Sequence, residues 1–287
     1  MPLFDSMTLT FGTVGTGGFG LLNSSIASYS TAVQIIITVF MIICSINFTV
    51  YYMFLIKRPK EALMCEEMRY YLLIVFGSAL LIAFNIRASF ASFGKAFQQA
   101  IFQVASVIST TGFATADFNL WPEFSRMILV LLMFVGACAG SPGGGFKVSR
   151  LIIMVKSVRN EIMSVTHPRS VQKVHMDGRR IPDNVVKTVL CYLAGYVVIL
   201  IVSVLLISLD NFDMTTNFTA VMATFNNVGP GLNRVGPTGN FGGFSVLSKL
   251  VLMFDMLVGR LELYPMLVIF APGLWRIHPH RHVGKVQ

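Results

Sequence analysis

A short glycine-centred phrase occurs three times in this sequence, at residues 13–19, 108–113 and 225–230, and its residue types suit the binding of a dehydrated cation. Glycine permits backbone conformations that turn successive carbonyls toward one axis, and rings of carbonyls can replace the water shell of an ion. No phrase contains a carboxylate, which favours a carbonyl site for a monovalent cation over an acidic ring. The candidate ion-binding residues are Thr16, Gly17, Gly18, Thr110, Thr111, Gly112, Asn227, Val228 and Gly229.

A second glycine-rich segment, residues 136–147, interrupts a stretch that is otherwise apolar enough for a membrane helix. Irregular backbone at membrane depth is tolerated where it is buried in protein or lines a watery cavity. We therefore interpret this glycine-rich loop as a mobile gate beneath the phrases, with a simple helix kink as the alternative. The candidate gate residues in it are Gly140, Ser141, Gly143, Gly144, Gly145 and Lys147.

Arg260 lies within the last apolar stretch, between Asp255 and Glu262. An arginine at membrane depth is costly and marks a functional site or a paired charge. Asp255 and Glu262 are seven positions apart and share a helix face, whereas Arg260 projects elsewhere, so we expect it to point into the cavity as a further gate residue. A structural ion pair with Glu262 or another helix is the alternative, and both can hold.

The composition indicates an integral membrane protein. Of the 287 residues 54% are hydrophobic and 12% are charged, with a mean hydropathy of +0.70. Soluble domains carry about 25% charged residues. The net charge of +9 comes from Lys and Arg clustered on one set of connections, which by the positive-inside rule lie in the cytoplasm. This placement argues against a nucleic-acid partner.

Three short segments precede the glycine phrases, and each is too short to cross a hydrocarbon core of about 30 Å. We expect re-entrant helices at residues 3–13, 95–108 and 214–225. Returning membrane helices should follow the phrases at 29–56, 123–155 and 244–272. Outer helices should precede the second and third phrases at 70–86 and 184–209.

The predicted fold is an all-α integral membrane protein, in which repeated helix–re-entrant pore loop–helix units with broken helices surround a central pore. Residues 1–69 would form the pore loop and second helix of one unit. Residues 70–183 would form a complete unit with the glycine-rich loop and a basic cytoplasmic linker, and residues 184–287 a complete unit with Arg260 and a cytoplasmic tail.

Enzymatic chemistry has little support in the sequence. No Ser/His/Asp or paired-carboxylate arrangement lies at membrane depth, and the four cysteines have no zinc-ligand spacing. The glycine-rich loop is not a Walker-type phosphate loop, because Phe146 separates Gly145 from Lys147. We expect no cofactor and no metal in this chain beyond the transported ion. A membrane enzyme that uses the loop for a phosphorylated substrate remains an alternative, and it would depend on Lys147.

Five motifs together resemble the Trk/Ktr/HKT potassium transporters, and most closely their TrkH-type bacterial subunits. They are Thr-Gly-Gly-Phe (16–19), Ser-Thr-Thr-Gly-Phe (109–113), Asn-Asn-Val-Gly (226–229), Gly-Ser-Pro-Gly-Gly-Gly-Phe-Lys (140–147) and Gly-Arg-Leu-Glu (259–262). The resemblance covers essentially the whole chain. It implies a multi-pass protein of the bacterial cytoplasmic (inner) membrane that passes K⁺ into the cell, with filter glycines Gly18, Gly112 and Gly229. It also implies that the loop is the gate and that Arg260 is an electrostatic barrier across the pore.

The resemblance also implies partners. Members of this family contact membrane lipid, form homodimers and pair with a cytosolic nucleotide-binding regulatory subunit of the TrkA type. Any NAD or ATP would bind that subunit.

The family has four filter phrases and this sequence has three. We therefore expect the chain to be the C-terminal portion of such a protein, lacking the first repeat and the outer helix of the second. A truncated or split, non-conducting remnant that needs an N-terminal partner is one alternative. A Na⁺-coupled or Na⁺-permeable K⁺ transporter is another.

Overall fold

The computed structural model describes residues 1–167, 172–261 and 263–269, and these residues fold into helices with one small hairpin. The helices are α1 (Leu3–Val14), α2 (Thr31–Cys44), α3 (Phe48–Leu55), α4 (Pro59–Met64), α5 (Glu66–Ile86), α6 (Phe93–Ile108), α7 (Glu123–Val135), α8 (Val148–Thr166), α9 (Asp183–Ile207), α10 (Met214–Phe225), α11 (Val246–Leu261) and α12 (Leu263–Ile269). The hairpin pairs β1 (His175–Met176) antiparallel with β2 (Arg179–Arg180), with His175 opposite Arg180.

Helices are observed at all three segments that were predicted to be re-entrant, as α1, α6 and α10, which have 12, 16 and 12 residues. At 1.5 Å per residue each is shorter than the hydrocarbon core. Two of them begin at side-chain caps. Ser92 Oγ accepts from Lys95 N at 3.3 Å, and an Asp213 carboxylate oxygen accepts from Thr216 N at 3.0 Å. The first cap starts α6 two residues before the predicted position.

The two outer helices, α5 and α9, are the helices in the described residues that are long and apolar enough to cross a membrane. The bent pair α2–α3 passes the same test if it is counted as one span. The outer helix α5 begins at Glu66, four residues earlier than predicted. Each outer helix packs against the re-entrant helix that follows it, α5 on α6 and α9 on α10. The outer helices therefore hold the re-entrant helices in place.

The returning helices are broken, and a continuous helix over residues 29–56 was a wrong prediction. The chain bends by 88° between α2 and α3. A new helix, α3, begins after Asn47, because the Asn47 side chain accepts a hydrogen bond from Thr49 N at 2.9 Å and so caps that helix. Short polar side chains of this kind compete with the helical hydrogen-bond ladder. Apolar composition alone could not indicate this bend.

The other two returning helices are also interrupted. The break predicted at residues 136–147 is confirmed between α7 and α8, and α8 runs to Thr166 rather than to residue 155. The last returning helix is described as α11 and α12, on either side of residue 262. Residues 270–272 of that predicted helix lie outside the described part of the chain.

Four clusters of buried apolar side chains form the core of the described residues; the largest surrounds α5, and the second reaches the glycine-rich loop. Tyr71 and Ile82 of α5 are fully buried against α6 and α7. In the second cluster Phe146, from the end of the loop, stacks on Phe134 at 5.1 Å between ring centroids. It also packs against Tyr196 of α9. The loop therefore ends in a fixed aromatic anchor.

Candidate functional site

The three glycine phrases have the same backbone conformation. In each, the residue two before the filter glycine and the glycine itself have positive φ, a region that favours glycine. The φ angles are 51° at Thr16, 58° at Thr110, 56° at Asn227, 66° at Gly18, 85° at Gly112 and 100° at Gly229. This repeated geometry indicates three equivalent structural units.

The phrases also share a hydrogen-bond pattern, in which two consecutive amides donate to one carbonyl in the last turn of the re-entrant helix. Gly17 and Gly18 donate to Gly12 O at 2.9 and 3.2 Å. The corresponding pairs are Thr111 and Gly112 to Ser106 O (3.0 and 3.3 Å) and Val228 and Gly229 to Ala223 O (2.8 and 3.4 Å). A planar trans peptide directs each N–H opposite to the preceding carbonyl. The carbonyls that point away from the helices therefore belong to Thr16, Gly17, Thr110, Thr111, Asn227 and Val228.

The phrases lie side by side, so that the glycine of one faces a carbonyl of the next. A Cβ added to Gly18 would lie 1.7 Å from Thr111 O, and one added to Gly112 would lie 2.2 Å from Val228 O. A Cβ added to Gly229 would meet nothing within 4 Å. The described residues thus close two junctions between phrases and leave the side at Gly229 open.

A cavity of about 800 Å³ occupies this open side. Its walls are the candidate ion-binding phrases and the exposed face of α11, including Met256 and Arg260. Asn227 joins the two walls, because its Nδ2 donates to Met256 O at 3.1 Å. Gly259 permits this close approach, since a Cβ there would lie 1.8 Å from Phe225 O.

The glycine-rich loop lies against all three phrases. Gly144 N donates to Thr110 Oγ1 at 2.7 Å, and Thr16 Oγ1 donates to Pro142 O at 3.3 Å. A Cβ on Gly144 would lie 2.5 Å from Asn226 O, so only a glycine fits at this contact. The loop therefore covers one face of the phrases.

Arg260 reaches across to the same loop. Its Nη1 donates to Pro142 O at 2.7 Å. The residue lines the large cavity and also a smaller one of about 250 Å³ next to Ser141, Gly143 and Lys147. Asp255 lies on a different face, where it is fully buried and accepts from Ser203 Oγ at 2.8 Å. The expected divergence of Arg260 from Asp255 is confirmed, whereas the alternative partner Glu262 lies outside the described residues.

Lys147 is folded back onto the loop. Its Nζ donates to Gly143 O at 2.7 Å. Several loop amides are used inside the protein, since Ala137 N donates to Gly144 O and Phe146 N to Phe134 O. A phosphate loop instead presents its amides and its lysine ammonium to one ligand. This arrangement does not favour a phosphorylated substrate.

Sequence reasoning missed Glu67 and Asn47, which contact the first half of the loop. Glu67 is 2% exposed and accepts from Ala139 N at 2.7 Å. Asn47 Nδ2 donates to the other carboxylate oxygen at 3.2 Å. The available signal was an acidic residue at the start of an outer helix, which is too common to indicate such a role.

The chain matches the family model of TrkH, described as a cation transport protein, over residues 1–277. It is 33% identical to the Trk system potassium uptake protein TrkH of Salmonella typhimurium and 34% identical to that of Vibrio parahaemolyticus. Each alignment covers 96% of this chain and 58% of the relative, so the chain spans less than two thirds of these proteins.

A solved structure is also similar. The crystal structure of the potassium transporter TrkH from Vibrio parahaemolyticus superposes with a TM-score of 0.88 at 33% identity. The match covers 96% of this chain and 60% of that one. The family expected from the motifs and the all-α membrane architecture are both confirmed. This chain belongs to the TrkH family of cation transport proteins.

Proposed function

We propose that this chain forms part of the wall of a pore that takes up K⁺ across the bacterial cytoplasmic membrane. We rest the proposal on the three phrases, whose shared geometry turns pairs of carbonyls away from their helices and toward the neighbouring phrase. Its relatives are potassium uptake proteins by name. The described geometry supports transport better than catalysis.

The filter would use the backbone carbonyls of the phrases as K⁺ ligands. Thr16 and Gly17 would act in the first phrase, Thr110 and Thr111 in the second, and Asn227 and Val228 in the third. The C-terminal ends of α1, α6 and α10 lead into these residues and carry partial negative charge, which favours a cation. Gly18, Gly112 and Gly229 allow the close packing that the carbonyls require.

The glycine-rich loop would be the gate. In the described conformation it contacts each phrase, and Arg260 holds Pro142 O by a charge-assisted hydrogen bond. Conduction would require that this bond break and that Gly143 to Gly145 move aside. The guanidinium would also repel a cation electrostatically until it moves.

A complete ring of carbonyls would need a fourth phrase at the open side next to Gly229. We propose that residues outside this sequence provide it, as a preceding repeat or a separate partner chain. In their absence the described chain would not conduct. A Na⁺-coupled or Na⁺-permeable K⁺ transporter is the alternative to this proposal.

The remaining partners follow from the surface and the family. The apolar outer faces of α5 and α9 would contact lipid, consistent with a multi-pass protein. A homodimer and a cytosolic nucleotide-binding regulatory subunit of the TrkA type are the proposed protein partners, and no nucleic acid is expected.

Growth of a K⁺-uptake-deficient bacterium at low K⁺ tests this function. We expect rescue when the chain is expressed with the upstream-encoded sequence, and no rescue by the 287-residue chain alone. Rescue by the short form would contradict the need for a fourth phrase. Failure of both forms, with both present in the membrane, would contradict potassium uptake. Parallel Na⁺ uptake measurements separate a selective pore from a Na⁺-coupled or Na⁺-permeable one.

A further inference from the structure

Glu67 is a buried carboxylate that accepts hydrogen bonds from the glycine-rich loop, from α8 and from the break between α2 and α3. Its Oε1 accepts from Ala139 N at 2.7 Å and from Ser149 N at 3.1 Å. Its Oε2 accepts from Asn47 Nδ2 at 3.2 Å. A carboxyl group removed from water needs such donors, and the amide of Ser149 belongs to the first turn of α8, where negative charge is favoured. One side chain thus joins three separate segments.

Asn47 extends this cluster into the break between α2 and α3. Its Oδ1 accepts from Thr49 N, so its Nδ2 is directed to Glu67. The backbone beside it is also bonded to the loop, since Phe48 N donates to Gly140 O at 3.2 Å and Cys138 N donates to Ser45 O at 3.1 Å. The first half of the loop is therefore held by the break and by Glu67.

The loop has two functionally different ends. Residues 138–140, the base of the loop, bond to the α2–α3 break and to Glu67. Residues 142–144 contact the phrases and Arg260. Because the two parts are consecutive along the chain, a shift of the base would alter the contacts of Pro142 and Gly144.

We propose that Glu67 is a positioning residue that fixes the base of the loop. Through Asn47 it couples the α2–α3 break to the contacts that Pro142 and Gly144 make with the phrases and with Arg260. This inference rests on the proposed role of the loop as the gate. Movement of α3 relative to α2 would displace Asn47 and release the loop. Glu67 does not line either described cavity.

Exchange of the hydrogen-bonding groups tests this proposal. Glu67→Gln alone places an amide donor against Asn47 Nδ2, and Asn47→Asp alone places two carboxylates together. The double variant restores one donor and one acceptor across the same contact. Glu66→Gln is the matched control, because the neighbouring Glu66 pairs with Lys156 and not with the loop.

The measurement is the rate at which a small membrane-permeant thiol reagent modifies Cys138, which is fully buried inside the loop. The variants are built in the upstream-extended protein, with Cys44, Cys65 and Cys191 replaced by Ser. We expect each single variant to raise the rate roughly tenfold, as the loss of a charged hydrogen bond allows. The rise in Asn47→Asp is the decisive one. The thiolate is the reactive form, so the negative charge added in Asn47→Asp would by itself slow the modification of Cys138, whereas the charge lost in Glu67→Gln would by itself speed it. We expect the double variant and the Glu66→Gln control to keep the parent rate. Basal K⁺ flux in the extended protein should follow the same order.

An unchanged labelling rate in both single variants would overturn the proposal, as would a double variant that labels as fast as the singles. If a single variant does not accumulate in the membrane, the double variant is used to test the proposal. Modification of its Cys138 at the parent rate supports the proposal, and a faster modification refutes it. Labelling does not depend on transport. A parent protein without K⁺ flux would therefore contradict the proposed function while leaving this test intact.

Discussion

At the scale of residues, the site depends on a few backbone positions at which only glycine fits. Gly18 and Gly112 combine positive φ with a neighbouring carbonyl inside the space that a Cβ would occupy. Gly229 also has positive φ, but nothing lies within 4 Å of a Cβ placed there. The three phrases are thus equivalent in conformation but not in their surroundings.

Substitution of these glycines should abolish K⁺ uptake. Gly18→Ala and Gly112→Ala would each force a carbonyl out of line, because the added Cβ would lie within 2.2 Å of it. Gly77→Ala in α5 is the control, since nothing lies within 4 Å and alanine favours a helix over glycine by about 0.5–1 kcal/mol. Uptake is measured in the upstream-extended protein. Normal uptake in Gly112→Ala would contradict the assignment of the filter.

Removal of the Arg260 side chain should raise K⁺ flux. Arg260→Ala deletes the bond to Pro142 O and the positive charge beside the cavity. A charged hydrogen bond is worth about 1.5–3 kcal/mol, so its loss should shift the equilibrium between the closed and the open loop roughly tenfold or more toward the open form. Arg260→Lys keeps the charge without the same geometry and separates the two effects. A flux in Arg260→Ala equal to or below that of the parent would refute its role as a barrier.

At the scale of elements, the start of α10 is stabilised by a side-chain cap that belongs to a network of hydrogen bonds. Asp213 bonds to Thr216 through both carboxylate oxygens, and Asn233 Nδ2 donates to it at 2.8 Å. These hydrogen bonds, that of the Thr216 side chain foremost, hold the pKa of Asp213 below its usual value. The cap thus fixes both α10 and the loop that carries Asn233.

Loss of this cap should destabilise the protein. Asp213→Ala should lower the free energy of unfolding by about 0.5–2 kcal/mol, whereas Asp213→Asn retains a capping oxygen and should cost less. Because the pKa is lowered in the folded state, the stabilisation is present above the ordinary carboxyl value of about 3.9 and is lost as the pH falls through the lower value. Thermal melting in detergent at neutral pH and below pH 4 measures both effects. A variant that melts like the parent at neutral pH would contradict the role of the cap.

The sequence alone was sufficient for the elements that have a strong local signal. The re-entrant helices and the glycine-rich break were predicted within a few residues, because apolar length and glycine content are local. The bend at Asn47 was not, since a single polar residue in an apolar stretch has many possible roles. Glu67 was missed because its partners lie 20, 72 and 82 positions away along the chain.

At the scale of the whole molecule, the three phrases of the described chain meet at two junctions and leave the side at Gly229 open. α1, α6 and α10 bring their phrases together, and the cavity of about 800 Å³ marks the side at which no phrase stands. Three carbonyl pairs from one side cannot replace the full water shell of an ion as a ring does. Tight ion binding should therefore appear only when the fourth side is supplied.

Ion-dependent stability should distinguish the two forms. The upstream-extended protein should melt at a higher temperature in K⁺ than in Na⁺ or Li⁺, because an ion bound only to the folded state adds about 2.7 kcal/mol when its concentration is a hundred times the dissociation constant. The 287-residue chain should show a much smaller difference between K⁺ and Na⁺. Gly112→Ala in the extended form is the control, and it should lose the K⁺ effect. Equal K⁺ stabilisation of both forms would mean that three phrases suffice, whereas equal effects of K⁺ and Na⁺ in the extended form would favour the Na⁺-permeable alternative.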